Sequence, residues 1–522
     1  MSSPLISAQT LPSTADLIDQ MRCPSLYPHP VKTPIELVQT HASWIFLTGD
    51  YAYKIKKPVN FGFLNYSTLA RRKHFVEEEL RLNRRTAADL YLEAVTLYQS
   101  GDRFSLRGPG QPVEYAVKMR QFPAGNLFSD LIKHDRLTPD LMQELAQQVA
   151  TLHHQAATSD YIRSFGTAQQ IRRAFDENYA QSQPFIGRGQ TAEQLSDTQA
   201  YTDRVFASWG NRFQSRIDQH KIRECHGDLH LGNICWWQDR VYLFDCIEFN
   251  EAFRFVDTMY DVAFVLMDCE ARGRPDLGNL FLNTYLEETG DWEGVYLLPL
   301  YLSRQAYVRA KVTSFQLDDA DTPAAQQQIQ NKAQNYYHLA WQYTRSKPGR
   351  LILMSGLSGS GKSTVARQLA QQIGAIHIRS DAVRKHLAGI PLLQRGDACL
   401  YTPEMTQRTY HRLLTLGLAL AQDGQTVILD AKYDRLAHRQ AVLTQAKSAG
   451  IPVTIVVCEA PISVLRDRLQ QRTGDVADAT ADLLADQSAC YESLAAEERA
   501  AAIYIDTTQS VDLSQYSTLL ET

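Results

Sequence analysis

A glycine-rich loop in the second half of the chain, GLSGSGKST at 356–364, has the residue types and spacing to bind nucleotide phosphates. It fits the pattern G-x-x-x-x-G-K-[ST] and lies between a short apolar run and a helical pattern. Its glycines free backbone N–H groups to wrap phosphate oxygens, and the helix start adds a positive dipole end. We expect Lys362 to reach the β- and γ-phosphates of ATP and Ser363 to bind Mg²⁺. The ATP-binding residues predicted in this loop are Gly356, Ser358, Gly359, Ser360, Gly361, Lys362, Ser363 and Thr364.

Further charged residues follow the predicted strands of this half. Asp381 and Arg384 come after the second strand, at the carboxyl edge where open α/β sheets bind ligands. Asp381 is a candidate base for an attacking hydroxyl, and Arg384 is placed to hold an anionic acceptor. Asp430 ends the run TVILD and is a candidate carboxylate for hydrated Mg²⁺. Each residue taken singly is also compatible with a solvated or helix-capping charge.

Three arginines share one helical pattern near the end of the chain, at Arg466, Arg468 and Arg472. Their spacing suits a lid that neutralises charge on a transferring phosphoryl group. We therefore include Arg468 and Arg472 among the predicted ATP-binding residues.

A second set of reactive side chains lies in the first half, in HGDLHLGN at 226–233. Asp228 and Asn233 have the D-x-x-x-x-N spacing of a kinase catalytic loop, in which the Asp meets the acceptor hydroxyl and the Asn binds the metal. Asp245 ends the apolar run VYLF and is predicted to tie Mg²⁺ to the ATP phosphates. These residues predict a second ATP–Mg²⁺ centre, with Asp228 as its base.

The same segment permits two other interpretations. His226, Asp228 and His230 are spaced closely enough to bind Zn²⁺, but no further His or Cys completes a closed site and zinc leaves Asn233 unexplained. The segment is also compatible with a polar turn that contains buried histidines.

A kinase-like lobe also needs a lysine on a strand and a glutamate on the next helix. Lys54 follows a Gly-Asp hairpin signal, which places it on the second strand, and Glu77–Glu79 lies on the following helix. Periodicity does not separate three consecutive acids, and we favour Glu78 as the partner of Lys54. The alternative is that Lys56 and its neighbour form a solvated edge and the glutamates a surface face. The segment 119–122, which closes the strand EYAVKM, is the predicted hinge at the adenine.

The elements that position these residues change in pattern near residue 348. Before it, strand-like segments at 43–48, 51–56 and 114–121 precede long helical periodicities such as 141–155 and 252–269. After the polar stretch SKPGR (346–350), five short apolar runs alternate with helices, which predicts a parallel sheet covered on both faces. We therefore predict two domains, 1–346 and 350–522.

The motifs resemble two known kinase groups. GLSGSGKST, SDAVRK (380–385), VILDA (427–431) and RLQQRTGDVADA (468–479) are similar to small P-loop kinases of the gluconate-kinase and polynucleotide-kinase type, often labelled AAA-type ATPases. In those relatives the Asp and Arg that match Asp381 and Arg384 act on the acceptor, and lid arginines cover ATP. The usual D-x-S-D-A of the lid is DVADA here, without the serine.

The first half, from about 35 to 345, resembles the aminoglycoside phosphotransferase and choline kinase group, which is related to protein kinases. HGDLHLGN matches that group's H-G-D-x-H-x-x-N loop, and the segment from Arg254 to Asp261 extends the likeness. The whole chain resembles fused bifunctional proteins of these two kinds. The resemblance implies a bilobal, α+β protein-kinase-like domain followed by an α/β P-loop kinase domain with a five-stranded, mostly parallel sheet.

The composition of the chain argues against several classes of partner. Lys and Arg number 53 against 58 Asp and Glu, a net charge of −5 that offers no broad basic field for nucleic acid or an anionic membrane. The eight cysteines include no C-x-x-C pair, and no segment approaches the ~20 apolar residues of a membrane span. With no leader pattern in the N-terminal stretch, we expect a cytoplasmic protein.

Three functions follow from these features. The first is an ATP-dependent phosphotransferase with two ATP–Mg²⁺ centres and small hydroxylated acceptors. The second is an ATP-binding sensor in which only one centre is catalytic. The third is a kinase of nucleic-acid 5′ ends, against which the acidic balance weighs.

Overall fold

The computed structural model describes residues 13–500, 502–509 and 512–513, so the N-terminal stretch 1–12 inspected for a leader lies outside the described residues. Within them, the strands are β1 (Glu36–Gln39), β2 (Ser43–Leu47), β3 (Tyr51–Lys56), β4 (Tyr91–Ser100), β5 (Arg103–Ser105), β6 (Gln111–Arg120), β7 (Ile222–Glu224), β8 (Ile234–Trp237), β9 (Arg240–Leu243), β10 (Phe255–Asp257), β11 (Arg350–Ser355), β12 (Ile376–Arg379), β13 (Thr426–Asp430), β14 (Val453–Glu459) and β15 (Ala502–Asp506).

The α-helices of the same residues are α1 (Thr14–Met21), α2 (Leu69–Ala87), α3 (Phe128–Lys133), α4 (Pro139–Gln155), α5 (Asp160–Arg163), α6 (Ala168–Ser182), α7 (Ala192–Ser208), α8 (Gly210–Asp218), α9 (Glu251–Arg254), α10 (Thr258–Ala271), α11 (Pro275–Thr289), α12 (Leu298–Phe315), α13 (Pro323–Gln342), α14 (Lys362–Ile373), α15 (Ser380–Ala388), α16 (Pro403–Gln422), α17 (Leu436–Ser448), α18 (Ile462–Gln471), α19 (Leu484–Cys490) and α20 (Ala496–Arg499).

The described residues form two compact units. The first unit comprises 13–137, Ala156–Phe165 and Ile222–Val256. The second comprises Thr138–Gln155, Gly166–Lys221 and the described residues from Asp257 onward. The division into 1–346 and 350–522 stays a prediction.

A six-stranded antiparallel sheet dominates the first unit, in the order β1-β2-β3-β6-β4-β5. The predicted strands at 43–48, 51–56 and 114–121 are β2, β3 and β6. Because β1 precedes them, Lys54 lies on the third strand, where it pairs with Ile45 and Val117. Helix α2 packs on this sheet through apolar residues such as Val76. The sheet and α2 therefore carry the predicted lysine and glutamates.

The hairpin β8–β9 separates the two halves of the predicted catalytic segment. Its central residues, Gln238 and Asp239, both have positive φ (49° and 57°), as a two-residue type I′ turn requires. Strand β8 begins directly after the HGDLHLGN segment, and β9 ends two residues before Asp245. The hairpin thus returns the chain from Asn233 to Asp245.

The helix predicted over 252–269 is interrupted. Helix α9 ends at Arg254, β10 pairs with β7, and α10 begins at Thr258. The Asp257 side chain caps α10 by accepting a hydrogen bond from Met259 N at 2.9 Å. Apolar periodicity does not register this break, because Phe255 and Val256 continue the apolar pattern of the predicted helix while β10 pairs with a strand distant in sequence.

The second unit contains a five-stranded sheet in the order β12-β13-β11-β14-β15, and every pair in it is parallel. The five predicted apolar runs are these five strands. Central strand β11 is buried along its whole length, which explains its continuous apolar sequence. The phosphate-loop motif follows β11 and leads into α14, as its sequence context predicts.

Candidate active sites

Lys54 on β3 is held between two carboxylates in the first unit. Its Nζ lies 2.8 Å from Glu79 Oε1 and 2.5 Å from Asp245 Oδ1. Burial acts to lower the pKa of Lys54, but the two carboxylates outweigh it and raise the pKa well above the ordinary lysine value. Lys54 is therefore a permanent cation beside a candidate metal ligand.

The glutamate partner is Glu79, so the prediction of Glu78 is wrong. Glu79 is fully buried, whereas Glu78 pairs with Arg81 at 2.9 Å. Consecutive helical residues point about 100° apart, so only one of three adjacent glutamates faces the sheet. A sequence signal for Glu79 existed: Val76 and Leu82, three residues before and after it, mark the buried face of α2.

Glu79 also serves a second lysine. Its Oε2 lies 2.7 Å from Lys56 Nζ, and Lys56 makes a further ion pair with Glu248, which accepts a hydrogen bond from Tyr66. Lys56 is only 1% exposed, so it is not the solvated edge residue that the sequence also allowed. Burial acts to raise the pKa of Glu79, and the two lysines bring it below the ordinary value. Sequence reasoning missed this buried network, although Lys54 and Lys56 alternate onto one strand face.

The ring of His226 holds the HGDLHLGN segment in place through hydrogen bonds to backbone atoms. The ring Nδ1 accepts from Asp228 N at 3.3 Å, and Nε2 therefore carries the proton donated to Phe244 O at 2.9 Å. Both ring nitrogens are thus engaged with the backbone, which argues against His226 as a zinc ligand. Asn233 Nδ2 donates to Asp228 O at 3.0 Å and lies 3.3 Å from its carboxylate. The segment presents Asp228 in a defined position.

The structure brings together the backbone segments that carry the two candidate metal ligands, Asn233 and Asp245. Phe244 N donates to Asn233 O at 3.0 Å, which sets Asp245 next to Asn233 across the hairpin ends. The side chains of Asp228 and Asp245 are 38% and 43% exposed, in contrast to their buried neighbours. Desolvation acts to raise the pKa of Asp245, but Lys54 outweighs it and holds the pKa below the ordinary value. Carboxylate and amide oxygens are the ligands that Mg²⁺ accepts, so this donor set fits that ion.

Glycine is required in the phosphate loop of the second unit. Gly359 and Gly361 have φ of 80° and 83°, and a Cβ at Gly359 would lie 2.8 Å from Leu465 O. Lys362 begins α14, and its Nζ donates to Leu357 O at 2.8 Å. Burial lowers the pKa of Lys362. The loop has the shape that wraps phosphate oxygens.

A cleft of about 870 Å³ adjoins this loop. Most of the predicted residues of this unit line it together. They are Ser358, Gly359, Gly361, Lys362, Ser363, Thr364, Asp381, Arg384, Asp430, Arg468 and Arg472. The lining does not include Gly356, whose N–H donates to Lys432 O at 3.1 Å, or Ser360, which is buried. Arg466 lies on the exposed side of α18, outside the lining.

Two carboxylates in the cleft have opposite pKa shifts. Burial raises the pKa of Asp381, in the first turn of α15. Burial acts in the same direction on Asp430, but a hydrogen bond from His377 at 3.0 Å outweighs it and lowers the pKa of Asp430 to about 2. Asp381 therefore has the more basic carboxylate, and Asp430 stays ionised as a metal ligand must.

The three predicted arginines bind protein groups as well as line the cleft. Arg384 donates to Leu400 O at 2.9 Å, and Arg472 donates to Ala479 O at 2.5 Å. Arg468 donates to Gly359 O at 3.3 Å, which braces the phosphate loop from α18. Their contacts with ATP or acceptor stay predictions.

Sequence reasoning missed the part of the cleft lining formed by the segment after β13 and by Tyr401 and Tyr410, which precede that strand. The rings of Tyr410 and His438 stack at 3.9 Å, and Lys432 Nζ lies 3.1 Å from Asp434 Oδ2. These four residues line the cleft together with Tyr401 and Arg435. The polar run KYDRLAH, directly after TVILDA, was the available signal, because it leaves the carboxyl edge of the sheet.

Two family models match separate stretches of the chain. Residues 76–298 match the model of the phosphotransferase enzyme family, and residues 351–494 match an AAA domain model. An uncharacterized protein of Mycobacterium tuberculosis is 29% identical over 463 residues, 88% of this chain and 90% of that protein. An adenylyl-sulfate kinase of Myxococcus xanthus is 31% identical over 121 residues, 22% of this chain and 61% of that kinase.

A solved choline/ethanolamine kinase family protein of Mesorhizobium loti covers 63% of this chain and 99% of its own length, at 12% identity and a TM-score of 0.38. Across the described part of the chain, no helix has both the length and the apolar character that a bilayer crossing needs.

Proposed function

We propose that this chain, an ATP-dependent phosphotransferase that carries a phosphotransferase-family domain and an AAA-type P-loop kinase domain, has two separate ATP–Mg²⁺ centres. One observation carries the proposal: each unit places a buried lysine at a candidate phosphate site that also holds acidic residues. In the first unit, Lys54 contacts Glu79 and Asp245. In the second, Lys362 and Asp430 line one cleft.

In the first centre, Lys54 neutralises ATP phosphate charge while Glu79 keeps the lysine in place. Asn233 and Asp245 are the proposed ligands of Mg²⁺, which supplies charge neutralisation at the phosphates when bound. The oxygen of the acceptor hydroxyl attacks the γ-phosphorus while Asp228 accepts the hydroxyl proton. The bond between that phosphorus and the oxygen that bridges the β- and γ-phosphates breaks, and ADP leaves. The segment 119–122 is the proposed contact of the adenine.

In the second centre, the phosphate loop wraps the β- and γ-phosphates, and Ser363 and Asp430 are the proposed Mg²⁺ ligands. Asp381 is the proposed base, because burial raises the pKa of its carboxyl and makes it a better proton acceptor. Arg384 is proposed to hold the acceptor, and Arg468 and Arg472 to neutralise the transferring phosphoryl group.

The proposed acceptors are small hydroxylated molecules. Support comes from the cleft of about 870 Å³, which has the size of a small-molecule site. The net charge of −5 offers no basic field for a polynucleotide, which weighs against 5′-end phosphorylation. The eight cysteines, which all lie in the described part of the chain, form no disulfide with one another, which supports the proposal of a cytoplasmic location.

The test uses two single-site variants, Asp228→Asn and Lys362→Ala, in a metabolite screen with γ-labelled ATP. If both centres turn over, each variant loses labelled products that the other retains, and the lost product identifies the acceptor of that centre. Binding of Mg²⁺–ATP is measured in parallel by calorimetry. If Lys54→Met or Lys362→Ala, each of which removes a proposed phosphate-binding lysine, loses ATP binding without losing any product, the sensor alternative replaces the proposal for that centre.

A further inference from the structure

Helix α11 covers the edge strand of the parallel sheet in the second unit. Strand β12 pairs only with β13, so one side of its backbone has no strand partner among the described residues. Asn279 Nδ2 donates to Ala375 O at 2.9 Å, and Asn283 Oδ1 accepts from His377 N at 2.7 Å. Two amide side chains, one helical turn apart, thus take the hydrogen bonds that a neighbouring strand would make.

The next residue along the same helix face is Glu287, which binds Arg379 at the carboxyl end of β12. Glu287 Oε1 lies 3.0 Å from Arg379 Nη1, and Arg379 Nη2 lies 2.5 Å from Asp475 Oδ1. Arg379 is only 5% exposed. The guanidinium therefore connects α11 to the DVADA loop (475–479) through two ion pairs.

The surroundings of Arg379 belong to the proposed P-loop centre. In the strand register Arg379 pairs with Asp430, and Asp381 follows Arg379 two residues later. Asp475 and three other residues of the DVADA loop line the cleft. The same loop has a second attachment, since Asp478 accepts from Tyr401 OH at 2.7 Å and lies 3.2 Å from Lys385 Nζ. The two aspartates of the loop are thus both bound to buried cations, Asp475 to Arg379 and Asp478 to Lys385.

We propose that Arg379 is a positioning residue of the P-loop centre: held by Glu287 of α11, it fixes the DVADA loop as a wall of the nucleotide cleft. The inference rests on the proposed function in that the cleft is taken as a phosphotransfer centre. The planar guanidinium of Arg379 binds Glu287 and Asp475 in fixed directions, so it sets both the distance and the orientation of the loop. The ammonium group of a lysine has no such fixed directions. Helix α11, inside the stretch that matches the phosphotransferase family, thereby shapes the site of the AAA-type domain.

The experiment measures hydrogen–deuterium exchange of the full chain in peptides that cover 472–482. Glu287→Gln is the main variant, because it removes one charge and keeps the size of a half-buried side chain. We expect several-fold faster uptake in those peptides, an unchanged melting temperature, and about tenfold weaker binding of Mg²⁺–ATP to the P-loop centre. The binding is read in an Asp228→Asn, Lys54→Met background, which silences the first centre.

Matched variants separate positioning from general damage. Glu288→Gln alters the next residue, whose carboxylate contacts Gln147 at 3.4 Å, and we expect no change in loop exchange. Asp475→Asn removes the other ion pair and is expected to reproduce the Glu287→Gln effect, while the double variant adds little to either. Arg379→Lys, which keeps the charge, is expected to bind ATP more tightly than Arg379→Gln. If the Arg379 variants fail to fold, Glu287→Gln and Asp475→Asn still test whether the ion pairs of Arg379 fix the loop.

Unchanged exchange in both Glu287→Gln and Asp475→Asn would overturn the inference. Equal acceleration in Glu288→Gln would also overturn it, because the effect would then be general loosening of α11. Hydrogen–deuterium exchange in the DVADA loop is measured without any catalytic turnover, so this result is independent of the proposed function. If Lys362→Ala keeps full ATP binding while Glu287→Gln loosens the loop, the proposed function fails and the role of Arg379 in fixing the loop stands.

Discussion

Lys56 Nζ lies 2.7 Å from Glu79 Oε2, on the carboxylate whose other oxygen lies 2.8 Å from Lys54 Nζ. One buried glutamate therefore holds two lysines of the same strand, and only Lys54 reaches Asp245. The second lysine limits the positions open to the glutamate, so the geometry of the candidate phosphate-binding lysine depends on a residue that does not contact the exposed carboxylates.

Replacement of Glu79 by Gln is expected to lower the kcat/KM of the first centre by about 100-fold, because Lys54 loses its charged anchor and pairs more tightly with Asp245. The measurement is labelled-phosphate transfer in a Lys362→Ala background. Glu77→Gln, which alters an exposed glutamate 3.9 Å from Lys73, serves as the control and should retain full activity. Equal losses in Glu77→Gln and Glu79→Gln would contradict the assignment.

Replacement of Lys56 by Met is expected to destabilise the protein by about 3 to 5 kcal/mol, because two buried carboxylates, Glu79 and Glu248, lose their common counter-ion. The free energy of unfolding is measured by urea titration followed with tryptophan fluorescence. Lys57→Met, which removes the neighbouring lysine bound to Thr40 O at 2.6 Å near the surface, should cost about 1 kcal/mol or less. Similar costs in the two variants would argue against the buried network.

The pH dependence of the second centre should report Asp381. Burial raises the pKa of this carboxyl above the ordinary Asp value of about 4. Asp381 therefore becomes protonated, and stops acting as a base, as the pH falls through that raised pKa. The kcat/KM profile reports ionisations of the free enzyme, so in an Asp228→Asn background it is expected to fall on its acid side at that raised value. Asp381→Asn should lower kcat by about 10²- to 10⁴-fold and remove the acid limb.

The control for this profile is Asp486→Asn, which removes an exposed carboxylate from the same cleft and should leave the acid limb in place. An acid limb that survives in Asp381→Asn and disappears in Asp486→Asn would assign the base elsewhere.

Replacement of Gly359 by Ala is expected to abolish measurable Mg²⁺–ATP binding at the P-loop centre. The added Cβ would lie 2.8 Å from Leu465 O, so the loop or α18 must move. Gly374→Ala has a similar positive φ of 68° with nothing within 4 Å, and it therefore carries only the backbone strain, about 1 kcal/mol. Calorimetric titration of both variants in an Asp228→Asn, Lys54→Met background, which silences the first centre, distinguishes the steric effect from strain. Tight ATP binding by Gly359→Ala in that background would refute the role of the loop.

Residues within one short motif were predictable, and contacts between distant segments were not. The phosphate loop and the five apolar runs after residue 350 were readable because each motif lies next to the strand that positions it. Asn233 and Asp245 were likewise readable, the first from the D-x-x-x-x-N spacing and the second from its position at the end of the apolar run VYLF. By contrast, the choice of Glu79 over Glu78 depends on how α2 is rotated against the sheet, and consecutive acids carry no signal of their own.

The roles of Lys56 and Arg379 could not be derived from spacing for the same physical reason. Lys56 finds its second carboxylate, Glu248, 192 positions away, and Arg379 is bound by a glutamate 92 positions earlier. Charge runs usually read as solvated surface, and only the packed structure shows which charges are removed from water. The interruption of the helix predicted over 252–269 has a similar origin, because β10 pairs with the remote β7.

The amide side chains of α11 that cover β12 set a limit on how this protein can be cut. A fragment that starts at residue 350 keeps every motif of the P-loop domain but loses Asn279 and Asn283, and the outer edge of β12 is then bare. A bare edge strand is a template for pairing with another copy. A fragment cut at residue 350 is therefore expected to self-associate through the exposed edge of β12. A fragment that begins before α11 keeps the helix that covers this edge.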